Sequence, residues 1–515
     1  MDMRTAGISA ASVIAATIIS LFNLPAQTGT GRRTTNLGTI GQLGTCLKEM
    51  EADNSLKGAG IAILAVTPGC DTLVSRNSGR LMVPASNMKM ITTALALHSL
   101  GGDFRYETRI GYTGHISGGT LHGDLYIIGG GDPTLFSSGR IAEPRETVFG
   151  RWHSILSDAG IREIDGYIIG DGRAFPGMLE QESWQLNDSG TYYGTGISGL
   201  SFNENIQSFR VAPGEKPGDP VEIAPVYPEA PWMRYIYSCT TGKKGSGNTL
   251  YFYTSSLAPV GEMRGTFAID RKPRTEEAAN KFPEYTCAHY FTEYLKGKGM
   301  SCSGGPADLG TVFCPAAPSW KECPQEKLCI LGGTMSPSLA KIAAVTNMES
   351  NNLYAEAMMK TIGMEYCGKG SYDSAYVAVD GILSELGISP SGARIRDGSG
   401  LSRENLVSPE FFCRLLMAMM DSPAFDDYLE SLPYPGGEGT LKYMLKGTPE
   451  MTKTRIRMKS GSMGGVRCFT GYIIPSSGCK EDAIVFSVMI NNFTAPVSRI
   501  QPVIEKLISL LAQCN

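Results

Sequence analysis

Histidine is scarce in this chain. The five residues of that type among 515, His98, His115, His122, His153 and His289, lie far apart and never at metal-ligand spacing, so core or surface roles are favoured over a metal centre. No block of basic residues occurs, and 46 Lys and Arg against 50 Asp and Glu leave a formal net charge of −4. That balance excludes a nucleic-acid surface. Beyond residue 24 no run of about 18 uninterrupted apolar residues is present, so nothing after the N-terminus is expected to cross a bilayer. Internal repeats with periods of about 20–50 residues are absent too, which removes solenoids and propellers.

What is present begins with length. A chain of 515 residues with an ordinary 42% hydrophobic content exceeds one typical core and implies about two to four domains. Arg4, the apolar stretch Ala6 to Leu24 and then Pro25-Ala26-Gln27 read as a secretory signal peptide cleaved near Ala26, with an uncleaved anchor as the alternative. Thirteen cysteines fit an oxidising compartment. Cys302, Cys314, Cys323 and Cys329 crowd together, but at gaps wider than zinc spacing, so disulfides are expected and the odd total leaves at least one free thiol.

The chain reads as a helix over Leu37 to Met50, a buried strand Gly60 to Val66 ending at the turn Pro68-Gly69, and a further helix after Pro84. From about Gly102 to Ala317 the texture is β-like and glycine-rich, as in Gly123 to Pro133 and a strand Ile164 to Asp171. Helical periodicity returns around Leu339, Ile342 and Ala343. Strands are expected over Phe469 to Ile474 and Ala483 to Ile490, and a last helix carries Ile500, Val503, Ile504, Leu507, Ile508 and Leu511 as one apolar stripe. The first strand, the helix after Pro84 and the C-terminal third make one α/β (α+β) domain split by a large insertion.

Three polar clusters stand out in order: Ser86-Asn87-Met88-Lys89, Ser350-Asn351-Asn352 and Lys459-Ser460-Gly461. Ser86 and Lys89, one helical turn apart, share a face. Serine needs a neighbouring base, and a lysine serves if burial and nearby positive charge lower its pKa. Lys459 across the site supplies such a charge. Lys459 and Ser460 on a strand edge suit a substrate carboxylate, with Gly461 leaving room for substrate alongside. Ser350 and Asn352 suit a proton relay and an amide clamp.

This pattern resembles the penicillin-binding proteins and serine β-lactamases, whose motifs are S-x-x-K, S-x-N and K-T/S-G. Pro84 to Lys89, Glu349 to Glu356, Asp397-Gly-Ser-Gly-Leu-Ser402, Gly439-Thr-Leu441 and Gly129 to Thr134 are similar to the class C, type 4 penicillin-binding proteins, D-alanyl-D-alanine carboxypeptidase/endopeptidases. The long interval from Ser86 to Ser350 matches that family's nested insertion. The resemblance implies a β-lactamase/transpeptidase-like domain, an antiparallel sheet flanked by helices, from 27–102 and 318–515. It implies an inserted domain from 103–178 and 262–317, and a third domain, 179–261, nested inside it.

The resemblance further implies Ser86 as the acylated nucleophile, Lys89 as its base, and Ser350 as the shuttle from Lys89 to the leaving amine. Asn352 would hold the peptide, and Lys459 and Ser460 the terminal D-alanine carboxylate. Backbone N–H groups of Ser86 and Ser462 would form the oxyanion hole, and Asp171 and Arg403 would read the free end of the stem peptide. Ser460 stands where threonine is commoner in the family and keeps the hydroxyl. No metal or cofactor is implied. Peptidoglycan stem peptides are the expected partners, with β-lactams as covalent mimics, a periplasmic location and at most peripheral membrane association. The rival readings are a β-lactamase and a catalytically idle wall-binding protein.

Other strings invite blander readings. Gly194 to Gly199 spells G-x-G-x-x-G without a strand–helix context, and reads as a loop. Ser201-Phe-Asn203 is a second S-x-N string inside the β-like insertion, and reads as structural. Asp171 has a close alternative as a turn aspartate capping local backbone.

Overall fold

The structure, a computed structural model, describes residues 37–139, 141–309 and 328–514. The expected signal segment, Cys314 and Cys323 lie outside the described residues. The strand Gly60–Val66 was legible as an apolar run because both of its faces are covered. It sits in a five-stranded antiparallel sheet ordered Thr72–Arg76, Gly60–Val66, Ile484–Asn491, Val466–Ile473, Ile456–Met463. An early and a late strand, more than 400 residues apart in sequence, are therefore hydrogen-bonded neighbours, with Ala62 opposite Met489 and Leu64 opposite Ser487.

Strand alternation sorts the core into two layers. Ile484, Phe486, Val488 and Ile490 face the helices Leu37–Ala52 and Val497–Leu511, where Ile500, Ile504, Leu507, Ile508 and Leu511 of the expected stripe are fully buried and Val503 is half-buried at its edge. Val485 and Met489 face the other way, onto Met88–Leu100, Asn352–Cys367, Tyr372–Glu385 and Pro409–Met419. Each fully buried aliphatic side chain of the stripe contributes about 1.5–3 kcal/mol.

The insertion builds its own mixed sheet, ordered Gly305–Asp308, Tyr167–Asp171, Leu125–Ile128, Glu107–Tyr112, Cys329–Met335. Two helices that the β-like texture concealed, Arg145–Asp158 and Pro283–Gly297, close over it around Phe136, Phe149, Trp152 and Phe291. Two further three-stranded sheets, within Ile206 to Ala279, enclose Phe209, Val211, Phe252 and Phe267.

Several expectations change. Cys329–Met335 still pairs with Glu107–Tyr112, so the insertion's sheet runs past the expected boundary at 318; the next element of the catalytic half is the helix Leu339–Glu349. The nested sheets also run past 261, because Arg274–Ala279 returns to pair with Ile206–Ala212. The expected strand Ile164 to Asp171 is two strands divided at Gly166, where a Cβ would lie 2.2 Å from the Gly123 carbonyl oxygen. Among the described residues there is no disulfide: eleven cysteines are free, and Cys46, Cys239, Cys287, Cys413 and Cys468 are buried as ordinary core residues. No helix among the described residues is long and apolar enough to cross a membrane.

Truncating Ile504, which is fully buried between sheet and helix, is expected to cost about 2–5 kcal/mol in a denaturant titration. Exposed Gln513, changed to alanine as the control, should stay within about 0.5 kcal/mol of the parent.

Candidate active site

Ser86 stands on a single 3-10 turn, Ala85–Asn87, that runs directly into the helix Met88–Leu100. Ala85 just before it is left-handed, with φ 46°, and fully buried. An L-residue stays in that region only where its surroundings enforce it. Asn87 supplies one such restraint: its amide donates to Thr470 Oγ1 at 2.8 Å, tying the turn to the sheet. The edge strand approaches from the other side at Gly461, where a Cβ would lie 2.4 Å from the Pro84 carbonyl oxygen and 3.0 Å from Asn87 N. The missing side chain thus makes room for the nucleophile turn, not for substrate as the sequence suggested.

Lys89 lies one turn beyond Ser86 and has no exposed surface. Its ammonium donates to Ser86 Oγ at 3.1 Å, Asn352 Oδ1 at 2.6 Å and the Ser399 carbonyl at 2.7 Å, which uses all three of its protons. Burial pulls its pKa from 10.5 down to about 7, against the opposing pull of Asp397 and Glu356. Those two carboxylates organise the loop that carries Ser399. Asp397 accepts from Gly400 N, Ser402 N, Asn405 Nδ2 and Trp184 Nε1. Glu356 accepts from Gly398 N, Ser399 N and the Tyr372 hydroxyl; burial and then the Asp397 charge push it up to about 7.

The second cluster falls between the helices Leu339–Glu349 and Asn352–Cys367, as the periodicity predicted. Ser350 is left-handed, φ 62°, and Asn351 caps the second helix by accepting from Tyr354 N. From this corner the two lysines are served separately. Ser350 Oγ accepts from Lys459 at 3.0 Å, whereas Asn352 accepts from Lys89 and donates from Nδ2 to the Tyr193 carbonyl at 2.8 Å. The expected pairing of Ser350 with Lys89 is therefore replaced by one with Lys459. Burial, followed by the charges of Lys89 and Arg467, holds Lys459 well below the ordinary lysine range.

Ser86, Ser350, Asn351 and Asn352 line a cleft of about 1050 Å³, together with Thr440, Ser462 and Arg403, with the two lysines buried behind them. Ser460 points its hydroxyl at Thr440 Oγ1, 3.3 Å away, and Arg403 donates through both guanidinium ends to the Gly464 carbonyl at 3.3 Å. Thr440 was unassigned by sequence reasoning, although its Gly439-Thr-Leu441 motif was visible.

Asp171 is absent from this cleft. It is 1% exposed and paired with Arg173 at 2.6 Å, and its Oδ1 accepts from Arg173 N, so it is the turn aspartate of the blander reading. It borders a separate cavity with Arg105, Arg109 and Lys369. Three carboxylates of the insertion do line the cleft, Asp188, Glu204 and Glu277, and Asp188 lies there beside Gln185, Tyr192 and Tyr193. Desolvation raises its pKa, offset by the Tyr193 hydroxyl and by Arg403. Nothing in its short polar run marked it. Asn203, which read as structural, also lines the cleft, while Ser201 beside it is fully buried.

A serine beside a dry amine, with a second lysine and a hydroxyl row along a strand edge, is equipped for acyl transfer from a substrate bearing a carboxylate. Residues 43–511 match the D-Ala-D-Ala carboxypeptidase 3 (S13) family. The chain belongs to that family. It is 29% identical over 463 residues to a D-alanyl-D-alanine carboxypeptidase of Actinomadura sp. (strain R39), covering 86% of this chain and 80% of the relative. Its fold is shared with penicillin binding protein 4 (dacB) from Haemophilus influenzae, at TM-score 0.74 and 21% identity over 91% of this chain and 98% of the other. The structure of that protein complexed with a β-lactam gives TM-score 0.69 over the same shares, also at 21% identity. Family membership makes the protein an enzyme, a serine-type D-Ala-D-Ala carboxypeptidase.

The Gly461 contact yields a sharp expectation. Gly461→Ala must displace Pro84 or Asn87 backbone, so it should destabilise the protein by about 1–3 kcal/mol and slow substrate turnover. Kinetics and a melting curve on the purified variant would reveal whether the strand tolerates a methyl group there.

Proposed function

We propose that the protein removes the terminal D-alanine of peptidoglycan stem peptides through an acyl-enzyme on Ser86. The observation that carries this reading is the buried Lys89 amine, 3.1 Å from Ser86 Oγ and lowered to about 7. In its neutral form Lys89 takes the hydroxyl proton as Oγ attacks the penultimate carbonyl. Backbone N–H groups of Ser86 and Ser462 stabilise the oxyanion. Lys459 and Ser460 receive the terminal carboxylate, whose negative charge favours the protonated state of Lys459 that burial disfavours. Ser350, whose hydroxyl is held by Lys459, hands its proton to the departing D-alanine nitrogen and takes in exchange the proton that Lys89 removed from Ser86, leaving Lys89 neutral; water then attacks the acyl carbon, Lys89 takes its proton and returns it to Ser86 Oγ, and the shortened peptide leaves. Asn352 keeps Lys89 aimed at Ser86.

Arg403 and Asp188 line the outer part of the cleft, where the free end of a stem peptide would lie. Asp188 replaces Asp171 as the acceptor for a diamino-acid ammonium. A cleft of about 1050 Å³ also has room for a cross-linked peptide, which supports endopeptidase action beside carboxypeptidase action. A β-lactam would acylate the same serine. Hydrolytic release in a β-lactamase calls for a carboxylate at the nucleophile, whereas the Ser86 hydroxyl is bonded to Lys89. Because peptidoglycan lies outside the cytoplasm, the N-terminal apolar segment fits export to the periplasm.

Fluorescent penicillin should label the parent protein and leave Ser86→Ala unlabelled at an unchanged melting temperature; labelling at another serine would refute the assignment. The acylation rate should also report Lys89. Since only the neutral amine is a base, the rate should rise about tenfold per pH unit below about pH 7 and level off above it. A rate that is flat across this range would remove Lys89 from the role of base.

A further inference from the structure

Three consecutive non-glycine residues of the insertion, Asn203, Glu204 and Asn205, are left-handed, with φ 51°, 53° and 54°. Asparagine tolerates this region; glutamate has no such preference. The two asparagines lock the turn. Asn203 Nδ2 donates to the Ile206 carbonyl, Asn205 Oδ1 accepts from Phe202 N, and Asn205 Nδ2 donates to the Gly196 carbonyl. Glu204 between them is held out into the cleft that contains Ser86 and Ser350.

Its carboxylate is fully engaged there. Oε1 accepts from the Ser137 hydroxyl and, at 3.2 Å, from the Tyr354 hydroxyl; Oε2 accepts from Asn351 Nδ2 at 2.7 Å. With its oxygens taken by three donors, Glu204 is poorly suited to bind a substrate ammonium. What it grips is the middle residue of the Ser350-Asn351-Asn352 corner. Asn351 is thereby fixed at both ends of its amide, since Oδ1 caps the following helix at Tyr354 N, 3.1 Å away. The residues on either side are the two that meet the lysines, Ser350 with Lys459 and Asn352 with Lys89.

We propose that Glu204 is a positioning residue for acylation: a carboxylate of the insertion that clamps Asn351 and so holds Ser350 and Asn352 against Lys459 and Lys89. The inserted domain then does more than wall the cleft, because it sets the geometry of a motif that belongs to the other domain. This inference rests on the acyl-enzyme reading above.

An exchange of partners tests it. Asn351→Asp keeps the helix cap but opposes two carboxylates, and should slow penicillin acylation and peptide kcat by at least about tenfold with KM little changed. Glu204→Ala should do the same. The double variant Glu204→Gln/Asn351→Asp lets the new amide donate to the new carboxylate and should recover to within about threefold of the parent. A double variant no faster than Asn351→Asp alone overturns the proposal, as do single variants that lower only the melting temperature while acylating at the parental rate. If the parent itself is not acylated, the functional reading falls and this inference with it; a normally acylated parent with insensitive variants sinks the role of Glu204 alone.

Discussion

The rest of the site depends on keeping the Lys89 amine dry. Removing a cation from water carries a penalty of several kcal/mol, on the order of that for any buried ion, unless partners replace its hydration. Ser86, Asn352 and the Ser399 carbonyl do so from three separate stretches of chain. Asp397 and Glu356 lie close enough to retain some affinity for the proton without forming the ion pair that would trap it. The outcome is an amine poised near neutrality beside the Ser86 hydroxyl, a state that no segment creates alone.

Holding that arrangement requires the two ends of the chain to meet. The nucleophile turn is pinned between Thr470 in the sheet and Gly461 on its edge strand, although more than 370 residues separate them in sequence. The left-handed backbone persists at Ala85 because it is fully buried, and at Ser350 because its hydroxyl is bonded to Lys459 and the next residue caps a helix. The sheet's two buried faces supply the stiffness behind this, with one layer of helices on each side.

The insertion takes part in the same construction. Its Tyr193 carbonyl orients Asn352, its Trp184 indole meets Asp397, and its Glu204 reaches Asn351. These contacts reach from the inserted chain to Asn352, which meets Lys89 directly, to Asp397 in the loop that carries Ser399, and to Asn351 between Ser350 and Asn352. The cleft is therefore a joint product of both parts, and its outer wall, with Asp188 and the tyrosines, comes from the insertion.

By itself the sequence determined the family, the class of enzyme and the general architecture. The spacing of Ser86 and Lys89 puts both on one helix face in any fold that forms the helix, and the apolar runs at Gly60 and Ala483 read as buried strands because alternation and burial are local properties. Partnerships were another matter. That Lys459 takes Ser350 while Lys89 takes Asn352, that Gly461 yields space to the nucleophile turn, and that Asp188 rather than Asp171 faces the cleft were decided by tertiary structure. Each turns on which distant segment lies opposite a given side chain and how far water is excluded between them. Strands returning past the expected boundaries at 261 and 318 were missed for the same reason, since strand pairing joins residues whose separation along the chain leaves no local mark, whereas the helices Arg145–Asp158 and Pro283–Gly297 were hidden by the glycine-rich β-like texture around them.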